Sequence, residues 1–284
     1  NEDTLQLLIK NYFSMQPSLN VYYCINDDSQ IKSTFSKSSK APYIFQLCDF
    51  VDTSSAYSWS SGNSMLEPVT SYSMYLGYSL TKKKFNFSSD LFYSVSDNEI
   101  SRVTRPITSL LYFSKYENAS SSNTLGIEIS SWFYMSKKIS ISLSGSLFSV
   151  SFKNNVDDPT WINSDNNSLR YGGYVKANAR YRLKNYSLSF YSTYNSREFN
   201  YSGYQNDWIT SSFIINRNFQ KNKINVSLGV YNIYDDLIKH GEHSESYGVI
   251  SDTRSYSTKY KAMLYFSFRY NIVEGDRDTQ NLTL

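Results

Sequence analysis

The chain has 284 residues, with 28 Lys and Arg against 25 Asp and Glu, for a formal net charge of +3. It carries 27 Tyr, 17 Phe and 51 Ser but only 11 Gly, 5 Pro and 2 Cys, which excludes a disordered, collagen-like or disulfide-stapled chain. Balanced charge, with no basic run longer than Lys82-Lys83-Lys84, argues against nucleic acid as a partner. Apolar runs of about five residues, such as Ala262 to Phe266, exclude membrane helices, which need ~18–20. The chain starts at Asn1 with no basic segment leading into an apolar run, so no signal peptide is visible. Small polar residues alternating with aromatics point to strands with one apolar and one polar face.

Eleven strands are expected, at about 12–25, 30–37, 69–80, 84–102, 110–135, 138–153, 168–183, 186–199, 205–219, 223–235 and 256–272. In the third, Tyr72, Met74, Leu76, Tyr78 and Leu80 alternate with Ser71, Ser73, Tyr75, Gly77 and Ser79. The fourth continues with Phe85, Phe87, Leu91, Tyr93 and Val95, Phe92 being the exception. The fifth is very long, and an interruption is expected near Ser120 to Asn123. In the sixth, Ile139, Ile141, Leu143 and Leu147 alternate with serines, and then Phe148, Val150 and Phe152 change phase, which reads as a bulge. The seventh is the cleanest. Leu169, Tyr171, Val175, Ala177, Ala179, Tyr181 and Leu183 fall on one face, and every charge falls on the other. Fifteen residues at ~3.3 Å each span about 50 Å, long for a soluble strand.

Connections alternate between short (26–29, 81–83, 136–137, 184–185, 220–222) and long (about 38–68, 103–109, 154–167, 200–204, 236–255). Outer-membrane barrels have short periplasmic turns and longer external loops. On that reading the first and last strands both run inward. Eleven alternating strands then leave these two parallel at the seam, so the chain is expected to form part of a larger or split barrel. The expected fold is an all-β, antiparallel transmembrane β-barrel portion over residues 1–272, followed by a polar tail, 273–284. The rival architecture is a soluble β-sandwich or adhesin.

Five ordered elements resemble TonB-dependent outer-membrane receptors. They are Pro17-Ser18-Leu19, then Gly62-Asn63-Ser64-Met65-Leu66-Glu67-Pro68, then Tyr116-Glu117-Asn118 with Gly126-Ile127-Glu128, then Asn232-Ile233-Tyr234-Asp235, and the aromatic final strand Tyr265 to Tyr270. The resemblance covers roughly residues 12–272. It implies a 22-stranded barrel in a bacterial cell outer membrane, of which this chain supplies about half. The family's N-terminal plug and TonB box have no counterpart in this sequence. The implied function is energised uptake of a scarce nutrient such as a metal chelate, glycan or peptide. The implied partners are outer-membrane lipid, a plug domain or remaining barrel strands, a TonB-type energy-coupling complex acting through the plug, and surface lipoprotein or other outer-membrane subunits. The alternative function is an accessory or plugless barrel subunit with a scaffolding role.

Candidate chemistry is sparse. The inward row Arg170, Lys176, Arg180 and Arg182 could attract an anionic substrate or pair with carboxylates of a plug or of neighbouring strands. Trp59, Trp161 and Tyr201 in external loops are candidate substrate anchors, and Trp208 is expected in an aromatic girdle. His240 and His243, near Asp235, Asp236 and Glu245, are weak metal candidates; a solvated loop is the plainer reading. Cys24 and Cys48 fall at opposite ends of the barrel, too far apart for a disulfide. No HExxH, P-loop, GxSxG, CxxC or dinucleotide motif is present, so neither an enzyme nor a cofactor is expected.

Overall fold

A period of two puts apolar and polar side chains on opposite faces of a strand, and long strands of this kind assemble edge to edge. The computed structural model describes residues 12–155, 169–219, 224–233, 240–246, 249–255 and 262–270. The elements in chain order are β1 (Ser18–Asn26), β2 (Ser29–Lys40), a one-turn helix α1 (Ile44–Leu47), β3 (Ser58–Ser61), β4 (Val69–Lys82), β5 (Phe85–Pro106), β6 (Tyr112–Tyr134), β7 (Ile139–Asn154) and β8 (Arg170–Leu183). They continue with β9 (Tyr186–Asn195), β10 (Glu198–Asn200), β11 (Gly203–Gln205), β12 (Trp208–Phe219), β13 (Ile224–Tyr231), β14 (His240–Ser246), β15 (Val249–Ser255) and β16 (Met263–Tyr270).

Eleven of these form one antiparallel wall in the order β1-β2-β4-β5-β6-β7-β8-β9-β12-β13-β16, with β3 added in parallel beside β6. These are the eleven strands expected from alternation. β10, β11, β14 and β15 form a separate four-stranded sheet. The wall is open. Its edge strands β1 and β16 run in the same direction and have no pairing with each other. The tail expected over 273–284 lies outside the described residues.

Register fixes the two faces. Leu19, Phe35, Met74, Tyr93 and Leu125 are opposed in turn across five strands. Ile141, Ala179, Phe190, Phe213, Val230 and Leu264 do the same across the other six. This apolar face is open over long stretches, with Leu76, Leu147, Tyr171 and Phe266 all more than half exposed. A face of this kind is stable against lipid tails and costly against water. At its inner rim the Phe85 and Phe133 rings meet at a tilt of 35° with centres 4.7 Å apart, and the Arg217 guanidinium lies over Tyr186 and Phe219 at 4.9 and 4.3 Å. Aromatic girdles and snorkelling cations have this arrangement.

The other face is serine-rich and lumenal. Ser71 bonds Ser96, Ser73 bonds Ser94, and Ser88 bonds Ser130, each pair directly opposed. Phe92 and Phe148, which break the alternation, both belong to this face. Each opposes Gly126, and a side-chain carbon there would strike both residues. Glycine leaves the space that the rings cover. β7 pairs with β6 and β8 without a register shift, so the change of phase at Phe148, Val150 and Phe152 is not a bulge. It marks where apolar residues cross to the lumen side and build a core. The real irregularity is between β5 and β6, near the expected interruption. There Asn98 takes φ 59° and the register shifts on either side of Glu99, yet β6 continues unbroken.

β5 has 22 residues and β6 has 23. At ~3.3 Å per residue and a tilt near 40°, such strands rise about 55 Å, roughly twice the ~25 Å apolar band. Their outer halves therefore project beyond the membrane and carry the site.

Candidate functional site at the external mouth

Two long connections fold onto these outer halves. The first, between β2 and β4, crosses to the edge of β6, where β3 pairs with Tyr112 to Lys115. The Gly62-to-Pro68 motif fastens it. Gly62 donates its N–H to the Cys48 carbonyl at 2.8 Å, and a side chain on Gly62 would strike the carbonyl oxygens of Cys48 and Gln46. The Asn63 amide donates to the Tyr116 carbonyl at 2.9 Å, while its Oδ1 accepts from the Met65 N–H. Asn118 accepts from the Glu67 N–H at 2.8 Å and donates back to the Glu67 carbonyl at 3.0 Å. Leu66 is fully buried. Two motifs some fifty residues apart in the sequence are thus the halves of one latch. In the same loop the Asp49 carboxyl is held below its usual range by the Ser64 hydroxyl and N–H.

The second structure is a cap. Hairpin β10–β11 and hairpin β14–β15 come from different connections and join through Tyr204 opposite His243. One row crosses all four strands: Phe199, Tyr204, His243, Asp252. Tyr204 stacks on the His243 ring at 5.1 Å, His243 Nδ1 pairs with Asp252 Oδ1 at 2.5 Å, and Arg197 lies over Tyr204 at 4.6 Å. The cap is seated on the wall by Tyr201, 2 % exposed, in a cluster with Val103, Ala119, Val150 and Phe152. Val150 and Phe152 are lumen-face residues, so the cap leans over the mouth. Arg170 completes the seat. It donates to the Asn200 carbonyl at 2.8 Å, and its guanidinium lies 5.4 Å from the Phe152 ring centre and 5.9 Å from that of Phe199. Nearby Arg105 and Glu117 form a bidentate pair at 2.5 and 2.8 Å. Glu99, fourteen residues beyond Phe85 and so above the apolar band, accepts from Ser122 at 2.5 Å and Ser120 at 3.3 Å, and burial pushes its carboxyl above the usual range.

The inward basic row separates into three parts. Arg170 holds the cap. Lys176 lies over Tyr174 at 4.3 Å, and the Tyr174 hydroxyl donates to Glu128 at 2.7 Å. Arg180 and Arg182 border a depression at the inner end. Of the aromatic candidates, Trp59 is on β3 opposite Phe113, Tyr201 is inside the core cluster, and Trp161 lies outside the described residues. Trp208 is not in the outer girdle, because its register with Asn195 and Tyr174 places it on the lumen face. Among the described residues no three His, Cys, Asp or Glu form a metal-binding group. His240 belongs to β14, with its side chain outside the described part, and His243 is committed to Asp252. Cys24 and Cys48 are free and exposed. Alternation in the sequence reached the lumen face. The seat of the cap was missed, although the phase change at Phe148 to Phe152 was its signal.

The family model described as "Outer membrane protein beta-barrel family" matches residues 1–270. A search of curated proteins gives no match. Among solved structures, the siderophore receptor PirA from Acinetobacter baumannii aligns with TM-score 0.57 and 18 % identity, over 90 % of this chain and 40 % of that one. The ferric enterobactin receptor PfeA of Pseudomonas aeruginosa, as the R480A mutant in complex with enterobactin, gives 0.60 and 14 %, over 89 % and 40 %. The FrpB iron transporter of Neisseria meningitidis gives 0.56 and 11 %, over 86 % and 36 %. The chain spans about two fifths of the length of these structures.

Proposed function

The chain belongs to the outer membrane protein beta-barrel family, and we propose that it forms part of the wall of a receptor for TonB-energised nutrient uptake in the bacterial outer membrane. The observation that carries this reading is the cap. A plain diffusion pore needs an unobstructed mouth, whereas here two external connections are built into a sheet and bolted over the lumen side by Tyr201 and Arg170. An ordered, polar and aromatic mouth suits capture of a specific ligand. The solved structures of like fold include siderophore receptors and an iron transporter, which favours a metal chelate over a glycan or peptide as cargo. Trp59, Trp161 and the Tyr204–His243 stack are the contacts proposed for it. In this reading the wall supplies shape and binding groups and performs no catalysis. A plug in the lumen and a TonB-type complex beneath it supply the energy coupling.

The test uses the full-length protein in its own outer membrane. Uptake of a radiolabelled ferric chelate under iron limitation is measured with and without an uncoupler of the proton-motive force. Accumulation that stops on uncoupling is expected. Uptake indifferent to uncoupling, or no uptake together with stoichiometric co-purifying subunits, refutes the reading and favours a scaffold.

A further inference from the structure

The open depression at the inner end of β8, β9, β12 and β13 has a volume of about 410 Å³. Its lining includes Arg180, Arg182 and Lys184 with the neutral donors Ser187, Asn216 and Asn218, and no carboxylate among the described residues. Register explains the convergence. Arg180 opposes Ser189, Arg182 opposes Ser187, Ser187 opposes Asn216, and Asn218 opposes Asn225, so these side chains share the lumen face. Lys184, at φ 49° in the turn, closes the rim. Arg180, Arg182 and Lys184 make no ion pair among the described residues. This sets them apart from Arg105 and from Arg170, which are engaged with Glu117 and with the cap.

Three cations brought together on one concave face repel one another, and an anion relieves that repulsion. Two guanidinium forks match the planar, two-oxygen geometry of a carboxylate, and amide and hydroxyl donors around them complete its hydrogen bonds. The face looks into the lumen and away from lipid, so a lipid headgroup is not the occupant. We infer that this depression is a carboxylate-binding site at the periplasmic end of the lumen, with Arg180 and Arg182 as the principal ligands. The inference rests on the lumen reading of this face, not on energised uptake.

The experiment uses detergent-purified full-length protein at low ionic strength, with succinate as the free probe. A photocrosslinker, p-benzoylphenylalanine, is placed at Ser189 in parallel. Succinate binding that weakens about 100-fold in Arg180→Gln/Arg182→Gln, roughly tenfold per charged hydrogen bond lost, supports the site with a free carboxylate as occupant. No succinate binding, with an arginine-dependent crosslink to a peptide carrying Asp or Glu, supports it with a polypeptide carboxylate already seated. Arg180→Lys/Arg182→Lys should recover part of either signal, and unchanged melting excludes misfolding as the cause. Succinate binding indifferent to the double variant, or neither binding nor an acidic crosslink, overturns the inference. A lipid-phase thiol probe checks the premise separately: Ala179→Cys should label and Ser189→Cys should not, and labelling of Ser189→Cys overturns the lumen reading and the site together. Loss of energised uptake leaves these direct binding measurements untouched, so the two readings fail independently.

Discussion

Tyr201 offers the sharpest test of the cap. Its side chain is 2 % exposed and fills the middle of a cluster whose other members come from β5, β6 and β7. Tyr201→Ala removes the whole ring, and the wall residues around it are kept from collapsing inward by the backbone ladders that join β6 to β5 on one side and to β7 on the other. Large-to-small changes of this kind cost about 3–5 kcal/mol. The cap touches the rest of the wall at few points, so the loss is expected to fall on cap opening and not on the barrel. At ~1.4 kcal/mol per factor of ten, even the low end raises the open population about a hundredfold. The assay is amide hydrogen exchange on the full-length protein in detergent, comparing residues 198–205 with β4 and β5. Exchange in 198–205 should rise by about two orders of magnitude while the inner halves of β4 and β5 stay protected. Unchanged exchange in 198–205 would refute the seating of the cap; an equal rise in the wall would refute its independence.

Other outcomes follow from the same geometry. Arg170→Lys should open the cap nearly as much as Arg170→Gln, about tenfold by the same exchange measurement, because an ammonium cannot both reach the Asn200 carbonyl and lie flat between Phe152 and Phe199. Asn63→Ala breaks the bond to the Tyr116 carbonyl and the turn at Met65, a loss of about 1–3 kcal/mol, and should expose 41–68 to limited proteolysis while leaving the melting of the wall unchanged. Gly126→Val drives a branched side chain into Phe92 and Phe148 from both sides; a folded yield in the outer membrane equal to wild type would contradict the packing. The Glu99 carboxyl is raised by burial, so the folded state holds its proton more tightly than the unfolded one. Its contribution is full below the unfolded value and is lost as pH rises through the folded value. Glu99→Gln should therefore be neutral near pH 4 and equal or better than wild type at pH 7, read as thermal melting; a loss at pH 7 alone would show that the charge is needed.

The sequence alone determined the wall. A side-chain period of two is a local property, and a one-residue slip would turn every apolar residue into the lumen, so alternation reveals strands, faces and even the direction of the two edges. Short turns such as Asp27-Asp28 and Lys184-Asn185 were equally legible, because two residues leave a chain no option but to reverse. The motifs were visible too, but not their purpose. Asn63 and Asn118 are recognisable as residues, while the bonds to Tyr116 and Glu67 exist only when β6 is brought under a loop that begins after β2. The exceptions carried the rest. Phe92 and Phe148 break alternation because a glycine on the neighbouring strand makes room for a ring, and Phe152 breaks it because Tyr201 arrives from another connection. Tyr201, read as an exposed loop aromatic, is a core residue for the same reason. Pairings between external connections depend on which strands the wall has already placed side by side. Only the tertiary structure could therefore decide that β11 meets β14, that Arg170 serves the cap, and that Arg180 and Arg182 share one hollow at the other end of the same strand.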